Sequence, residues 1–382
     1  MGQLDAVAPR YGQASLAEVM PSVLNVLGMP YERDALGLSA TLAGVRRVAV
    51  VLLDGLGWHQ LGIASPHAPT LTDMIGGRLG TARSITSGFP STTPVSLVTL
   101  GTGAPPGAHG IVGIVLNQPG TDKLVNHLRW QDQPDPASWQ PLPTAFTRAA
   151  NAGIATTVVS NPAFQNSGLS LSAYRGAQFG AGGVADAVAS SMLAALPSSA
   201  LVYGYLPDVD RAGHDFGIGT GEWRTAVAEA DRLLTRLIDG LPPDSALIVT
   251  ADHGQLDIPA DRRLDLDRDT RLREGVAVVA GEPRVRYLHT IPGATADVMD
   301  TWRGVLGDRA WVVTREEAVA SGWFGPIPQQ HLARVGDVVV ACRERWVVLA
   351  SAHEPAKVSR MVAFHGSSTA AEMQIPLLVV RR

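Results

Sequence analysis

Five nearly continuous apolar runs punctuate the chain, at residues 45–53, 155–160, 200–206, 246–250 and 375–380. A short run with apolar side chains on both faces fits a strand covered from both sides. Helical spacings fall between these runs. Leu16, Val19, Met20, Val23, Leu24 and Leu27 predict a helix over 15–28, and similar patterns lie at 94–100, 143–152, 184–196 and 223–241. Strands alternating with helices predict an α/β fold, with a mostly parallel central sheet and helices on both faces.

The pattern changes between 262 and 345. A charge-rich stretch, DRRLDLDRDTRLREG, is followed by short alternating segments and two short helical ones. This reads as a small α+β insertion, a cap at 262–345 within a core made of 1–261 and 346–382. In its RVRYLH segment Arg284, Arg286 and Leu288 share one face, and Val285, Tyr287 and His289 share the other. Val285 and Tyr287 are expected on the cap's own helices, and the arginines toward solvent. A lid in that position can exclude water and select substrates.

Composition narrows the function. Apolar residues make up 46% of 382, enough for a well-buried core, and a net charge of −4 leaves no electrostatic footprint for nucleic acid. Lys123 and Lys357 are the only lysines, so a lysine-dependent mechanism has few places to reside. The single cysteine, Cys342 in VVVAC, excludes an intramolecular disulfide and reads as a buried small hydrophobe. No apolar run is long enough to span a bilayer and the first residues show no signal-peptide pattern, so a cytoplasmic location is the expectation. The sequence says nothing about oligomeric state.

The polar residues that punctuate these runs carry the chemistry. Asp54 ends a strand in VVLLDG, and Asp252 and His253 end another in TADHG. Asp210 and His214 stand in DVDRAGH, where Pro207 and Gly213 suggest a loop. Thr93, in FPSTTP, precedes Pro94 and a helical stretch, as an N-cap with proline behind it does. His365 opens FHGSS. Ligands in open α/β sheets bind beyond the C-terminal strand ends, where such residues can converge. Three carboxylates, three imidazoles and a hydroxyl can hold two divalent metals beside a nucleophile, a combination suited to phosphoryl transfer. Thr92, Asp208 and His353 are rivals for three of these roles. His109 reads as a packed histidine, and the remaining histidines carry no assignment. The three histidines favour zinc, while the carboxylates also suit manganese.

Taken in order, the motifs resemble those of the alkaline phosphatase superfamily, specifically its type I phosphodiesterase/nucleotide pyrophosphatase branch, over roughly residues 45–258 and 350–382. In that branch the nucleophilic threonine lies nine residues before a Thr-Gly and sixteen before a His-Gly. Thr102-Gly103 and His109-Gly110 then select Thr93 over Thr92, and the Asp-x-x-x-His spacing selects Asp210 over Asp208. The resemblance implies one metal on Asp210, His214 and His365, and another on Asp54, Asp252, His253 and the Thr93 oxygen. It implies a hydrolase that cleaves a phosphodiester or pyrophosphate bond of a small molecule through a phosphothreonine. Pro94 stands where nucleotide-cleaving members place an aromatic directly after the nucleophile. Ser96, three residues after Thr93, is the candidate phosphoryl contact, and Phe164 in the 160–169 loop is the candidate stacking residue. A phosphomonoesterase, with Arg83 or Arg211 as the extra cation, and a non-catalytic metal-stabilised binding protein are the competing readings.

Overall fold

The computed structural model describes residues 2–130 and 134–382. Its central sheet has seven strands: β1 (Arg47–Leu53), β2 (Thr81–Thr86), β3 (Thr156–Ser160), β4 (Gln178–Ala181), β5 (Leu201–Leu206), β6 (Ser245–Thr250) and a final strand at Gln374–Arg381. From β2 the order runs through that final strand to β6, β1, β5, β3 and β4. The five from β6 to β4 are parallel, and the final strand is antiparallel to β6 and β2. The expected mostly parallel sheet is therefore present. Two strands had no readable signal. β2 is polar at its exposed end, and β4, the sequence QFGA at the edge, is too short to carry a period.

Helices cover both faces, and alternation along β1 shows why. Val48, Val50 and Leu52 join one apolar cluster with helices α1 (Val19–Val26), α2 (Thr93–Thr102) and α3 (Ala145–Asn151). Ala49, Val51 and Leu53 join another with α4 (Ala185–Ala195), α5 (Asp208–Phe216) and α6 (Gly221–Gly240). A strand clad on both sides presents no polar face, which is why β1 reads as a continuous apolar run. Among the described residues no helix is long and apolar enough to cross a membrane.

A second sheet, antiparallel and four-stranded, lies within Val276–Cys342. Its strands, β7 (Val276–Glu282), β8 (Val285–Thr290), β9 (Ala310–Thr314) and β10 (Val338–Cys342), are ordered β7, β8, β10, β9. One face packs on helix α7 (Thr295–Leu306), with Leu288, Val338 and Val340 against Val298, Met299 and Trp302. The other face, with Val285, Tyr287 and Val339, belongs to the main core. The Tyr287 hydroxyl donates to the Val112 carbonyl at 2.6 Å.

Two expectations for this region are overturned. Val285 and Tyr287 face the core rather than α7. Arg284 and Arg286 are buried, with only 3% exposure even for Arg286. Arg284 makes a bidentate pair with Glu372 at 2.7 and 2.8 Å. Arg286 pairs with Glu354 at 2.7 Å and donates to the Val348 carbonyl. Alternation located the two faces correctly. It could not show that the sheet is covered on both, nor that carboxylates from outside the sheet neutralise the arginines. Cys342 is buried, as expected.

Candidate active site

Parallel register brings the strand-end residues together. Leu53 of β1 pairs with Leu206 of β5, and Leu52 pairs with Thr250 of β6. Asp54, the segment leading into α5 and the Ala251–His253 turn therefore emerge side by side. The fourth piece arrives through a short antiparallel pairing of Ala363–Phe364 with Leu256–Asp257, which sets His365 beside His253. Their rings stack at 3.5 Å with planes 10° apart.

The DVDRAGH segment is helical, not a loop. Pro207 stands at the N-cap of α5, where its ring breaks no helical hydrogen bond, and Asp208 and Asp210 occupy the favourable first turn. Gly213 leaves room for the Gln255 side chain. A Cβ there would lie 1.8 Å from Gln255 Oε1. Gly55 serves similarly across the turn after Asp54. Its φ is +73° and an added Cβ would fall 2.8 Å from the Asp210 Cα. Helical spacing then places Asp210 and His214 on one face, with His214 Nε2 3.2 Å from Asp210 Oδ2.

Two groups of potential ligands result, Asp210–His214–His365 and Asp54–Asp210–His253, each with its ligand atoms within 4.8 Å of one another. Asp210 belongs to both. His365 Nε2 lies 3.2 Å from His214 Nε2 and 3.7 Å from Asp210 Oδ1. His253 Nε2 lies 3.5 Å from Asp54 Oδ1 and 3.2 Å from Asp252 Oδ2. The far ring nitrogens are tied to backbone carbonyls: His214 Nδ1 to Ala363 at 2.8 Å and His365 Nδ1 to Ser91 at 2.9 Å. This leaves both Nε2 atoms to face the centre. Thr93 Oγ1 is 3.2 Å from His253 Nε2. The helix begins at Thr93, so Thr92, not Thr93, is its N-cap residue.

The carboxyls and imidazoles of this cluster shift one another strongly. Burial, then the neighbouring Asp252 and Asp210, pushes the Asp54 carboxyl well above the ordinary range. Burial would raise Asp210 too, but His214 above all, with His365 and His253, outweighs it and holds that carboxyl below the ordinary range. Burial would lower His253, but Asp252 outweighs it and raises the imidazole. His365 is driven well below its usual range by burial and by His253. Asp54 Oδ1 and Asp252 Oδ2 are both buried without a hydrogen-bond partner. Orphaned carboxylate oxygens aimed at imidazole nitrogens are what a pair of divalent cations would satisfy.

The rivals lie elsewhere. Asp208 pairs with Arg211 at 3.4 Å, and His353 is exposed on the far segment beside Asp267. His109 is buried against Thr99. Arg83 donates to the Leu36 carbonyl, and Arg211, more than half exposed, is loosely paired with Asp208 at 3.4 Å. Ser96 is fully buried behind the site, donating to the Asp252 carbonyl at 2.9 Å, where it braces the turn rather than facing the cavity. Phe164 is partly exposed beside Tyr205, their ring centroids 6.4 Å apart.

Two residues escaped the sequence reading. The Tyr205 hydroxyl donates to Asp54 Oδ2, and Gln255 donates from Nε2 to the Asp210 carbonyl at 3.0 Å and to its carboxylate. A hydroxyl-bearing aromatic at the ligand end of an otherwise apolar strand, and an amide directly after Asp-His-Gly, were the available signals.

Thr93 stands between two cavities. One, of about 640 Å³, is lined by Phe164, Trp130, Tyr174 and the 163–170 loop. The other, of about 370 Å³, is lined by Asp54, Asp210, His214 and His365 and by the hairpin at 281–283. Thr93, Leu128, Arg129 and Tyr205 line both.

No curated protein matches the chain in sequence. Among solved structures it is similar to murine ectonucleotide pyrophosphatase/phosphodiesterase 5, at 23% identity and a TM-score of 0.70 over 88% of each chain. It is also similar to phosphonoacetate hydrolase from Sinorhizobium meliloti 1021 in complex with phosphonoformate, at 22% identity and a TM-score of 0.68 over 88% of this chain and 90% of that one. The human counterpart of the murine protein matches at 19% identity with a TM-score of 0.69, over 88% of each chain. These likenesses establish the fold. Residues 48–368 match the family model for type I phosphodiesterase/nucleotide pyrophosphatase, so the chain belongs to that family of phosphoester hydrolases.

Proposed function

We propose that this enzyme cleaves a small-molecule phosphodiester or pyrophosphate in two displacements, through a phosphothreonine at Thr93. The position of Thr93 carries the reading. Its hydroxyl lies beside the ligand cluster, at the junction of two cavities, so both substituents of a diester have room. A monoester would use only one. A murine structure of the same fold is described as an inactive threonine-to-alanine variant in complex with AMP, which supports a threonine in this role.

The residues fit two divalent ions, zinc being the first choice. Asp210, His214 and His365 would hold one, and Asp54, Asp252, His253 and Thr93 the other. Bound there, the ions would supply positive charge to the phosphoryl oxygens and to the oxygens entering and leaving. The remaining steps belong to the chain. Tyr205 and Gln255 fix the orientation of Asp54 and Asp210. The Thr93 oxygen gives up its proton and attacks phosphorus in line, forming its P–O bond as the bond to the departing oxygen breaks, and that oxygen takes up a proton and leaves as the alcohol. Water then attacks the phosphothreonine and restores the Thr93 hydroxyl, with net retention at phosphorus.

Metal analysis of protein never exposed to chelator should find two ions per chain. The same preparation should turn over bis-p-nitrophenyl phosphate faster than p-nitrophenyl phosphate, and acid quenching should trap a p-nitrophenylphosphoryl group on Thr93. One ion or none, or a preference for the monoester, would count against the proposal.

A further inference from the structure

The cap hairpin carries a buried acid that no step above uses. Glu282 ends β7 and lines the smaller cavity with Asp54, Asp210 and His365. It is only 2% exposed. Its Oε2 accepts the Ile114 N–H at 3.0 Å, while its Oε1 is buried with no hydrogen-bond partner. A buried orphan oxygen is costly, and an unfilled ligand position is one explanation for it. Nearby cations do not fill it. Arg286 is committed to Glu354 and the Val348 carbonyl. Arg211 and Lys357, which also line this cavity, pair with Asp208 and Asp215. Arg129 has no acidic partner among the described residues, but it lies on the divide shared with the larger cavity, where an anionic phosphoryl group would be its neighbour. The other walls include Ile114, Val115, Pro283, Pro355 and Met361. An apolar stretch of wall around one partnerless carboxyl oxygen favours a cation on a short carbon stem.

We propose that the cap-side cavity selects a substrate substituent bearing an amine, which the free Oε1 of Glu282 receives. This rests on the diesterase reading and narrows it, setting amine-bearing diesters above pyrophosphates. Burial pushes the Glu282 carboxyl up to about 8. A docked ammonium would supply the counter-charge the protein withholds and favour the carboxylate.

The test is equilibrium binding to metal-loaded Thr93→Ala protein, which needs no turnover. Three 4-nitrophenyl phosphodiesters serve as probes, their second ester being 2-aminoethyl, propyl or 2-carboxyethyl. Calorimetry should show the aminoethyl diester binding roughly tenfold tighter than the propyl one, the carboxyethyl diester weakest, and the first ratio falling to about one when Glu282→Gln is added. Equal affinities for the aminoethyl and propyl diesters, tighter binding of the carboxylate, no binding of the aminoethyl diester, or a ratio unchanged by Glu282→Gln would each overturn the assignment. The contrast between amine and carboxylate is read before residue 282 is altered, so it survives a double variant that fails to fold. Absence of diester turnover by the wild-type enzyme would sink the proposed reaction and leave this binding result standing.

Discussion

The two walls of the site are built on different principles. On one side Asp54, Asp210 and Asp252 follow parallel strands whose register makes them neighbours. On the other, the hairpin at 281–283 reaches the cavity from a separate antiparallel sheet, docked by side-chain contacts: Arg284 to Glu372, Arg286 to Glu354 and Tyr287 to the Val112 carbonyl. A ligand on the first wall can move only if the main sheet moves. A residue on the second can be changed by altering a turn. On the proposed reading the reaction centre rests on the least adjustable part of the molecule, and substrate choice on a more adjustable part.

Thr93→Ala should make the sharpest cut between chemistry and scaffold. Activity should fall by at least about a thousandfold, as when a covalent nucleophile is removed. Melting temperature should hardly change. Thr92→Ala is the control, since Thr92 makes no side-chain capping bond, and activity near wild type is expected. A reversal of the two would move the nucleophile.

The docking of the second wall should be the next most sensitive point. Arg284→Met leaves Glu372 buried without its partner, and breaking such a pair costs about 3–5 kcal/mol. Glu372 also accepts the Ser367 N–H, two residues from His365. Chemical denaturation should show the loss of stability, and metal content should fall with it. If stability is kept, the cap is not held as described.

Within the first wall, Gln255→Leu removes the amide that orients Asp210. It should weaken metal affinity by roughly 10–100-fold with little change in fold, measured by competition with a chromogenic chelator. Acid should act similarly. Ligands must shed protons to bind metal, and Asp54 and His253 hold theirs to higher pH than such groups ordinarily do. Affinity should therefore fall as pH drops, by about tenfold per unit for each proton displaced. An affinity flat between pH 8 and 5 would contradict these raised values.

The smallest expected effect lies across Thr93 from the cap. Phe164→Ala should raise KM for an aromatic diester by roughly three- to tenfold, the value of one ring contact, and leave kcat nearly unchanged. A change in kcat alone would argue that the loop positions Thr93 instead of binding substrate.

Legibility followed the same division. Asp54, Asp252 and the five apolar runs were readable because a doubly covered strand and the polar residue that ends it leave a local trace. Asp210 to His214 misled because Pro207 and Gly213 normally break helices. Here the proline sits outside the helix and the glycine yields to Gln255, a contact between residues distant in sequence. Arg284 and Arg286 misled for a related reason: their partners, Glu372 and Glu354, lie far along the chain. Ser96, three residues from Thr93, is held instead by the Asp252 carbonyl, a partner distant in sequence. Glu282 left no local trace, since a Gly-Glu-Pro turn is ordinary until its burial is known.

The stacked rings of His253 and His365 have one more consequence. Each ring belongs to a different candidate ligand group, and at 3.5 Å the two faces are in direct contact. The stack is in effect a gauge block set between two sockets. Neither imidazole could lean toward an ion in its own group without losing the face of the other, so a gain in fit at one socket would be felt as slack in its neighbour. Such a pair resists resizing one ion at a time. A change in ionic radius suits it best when both positions change together.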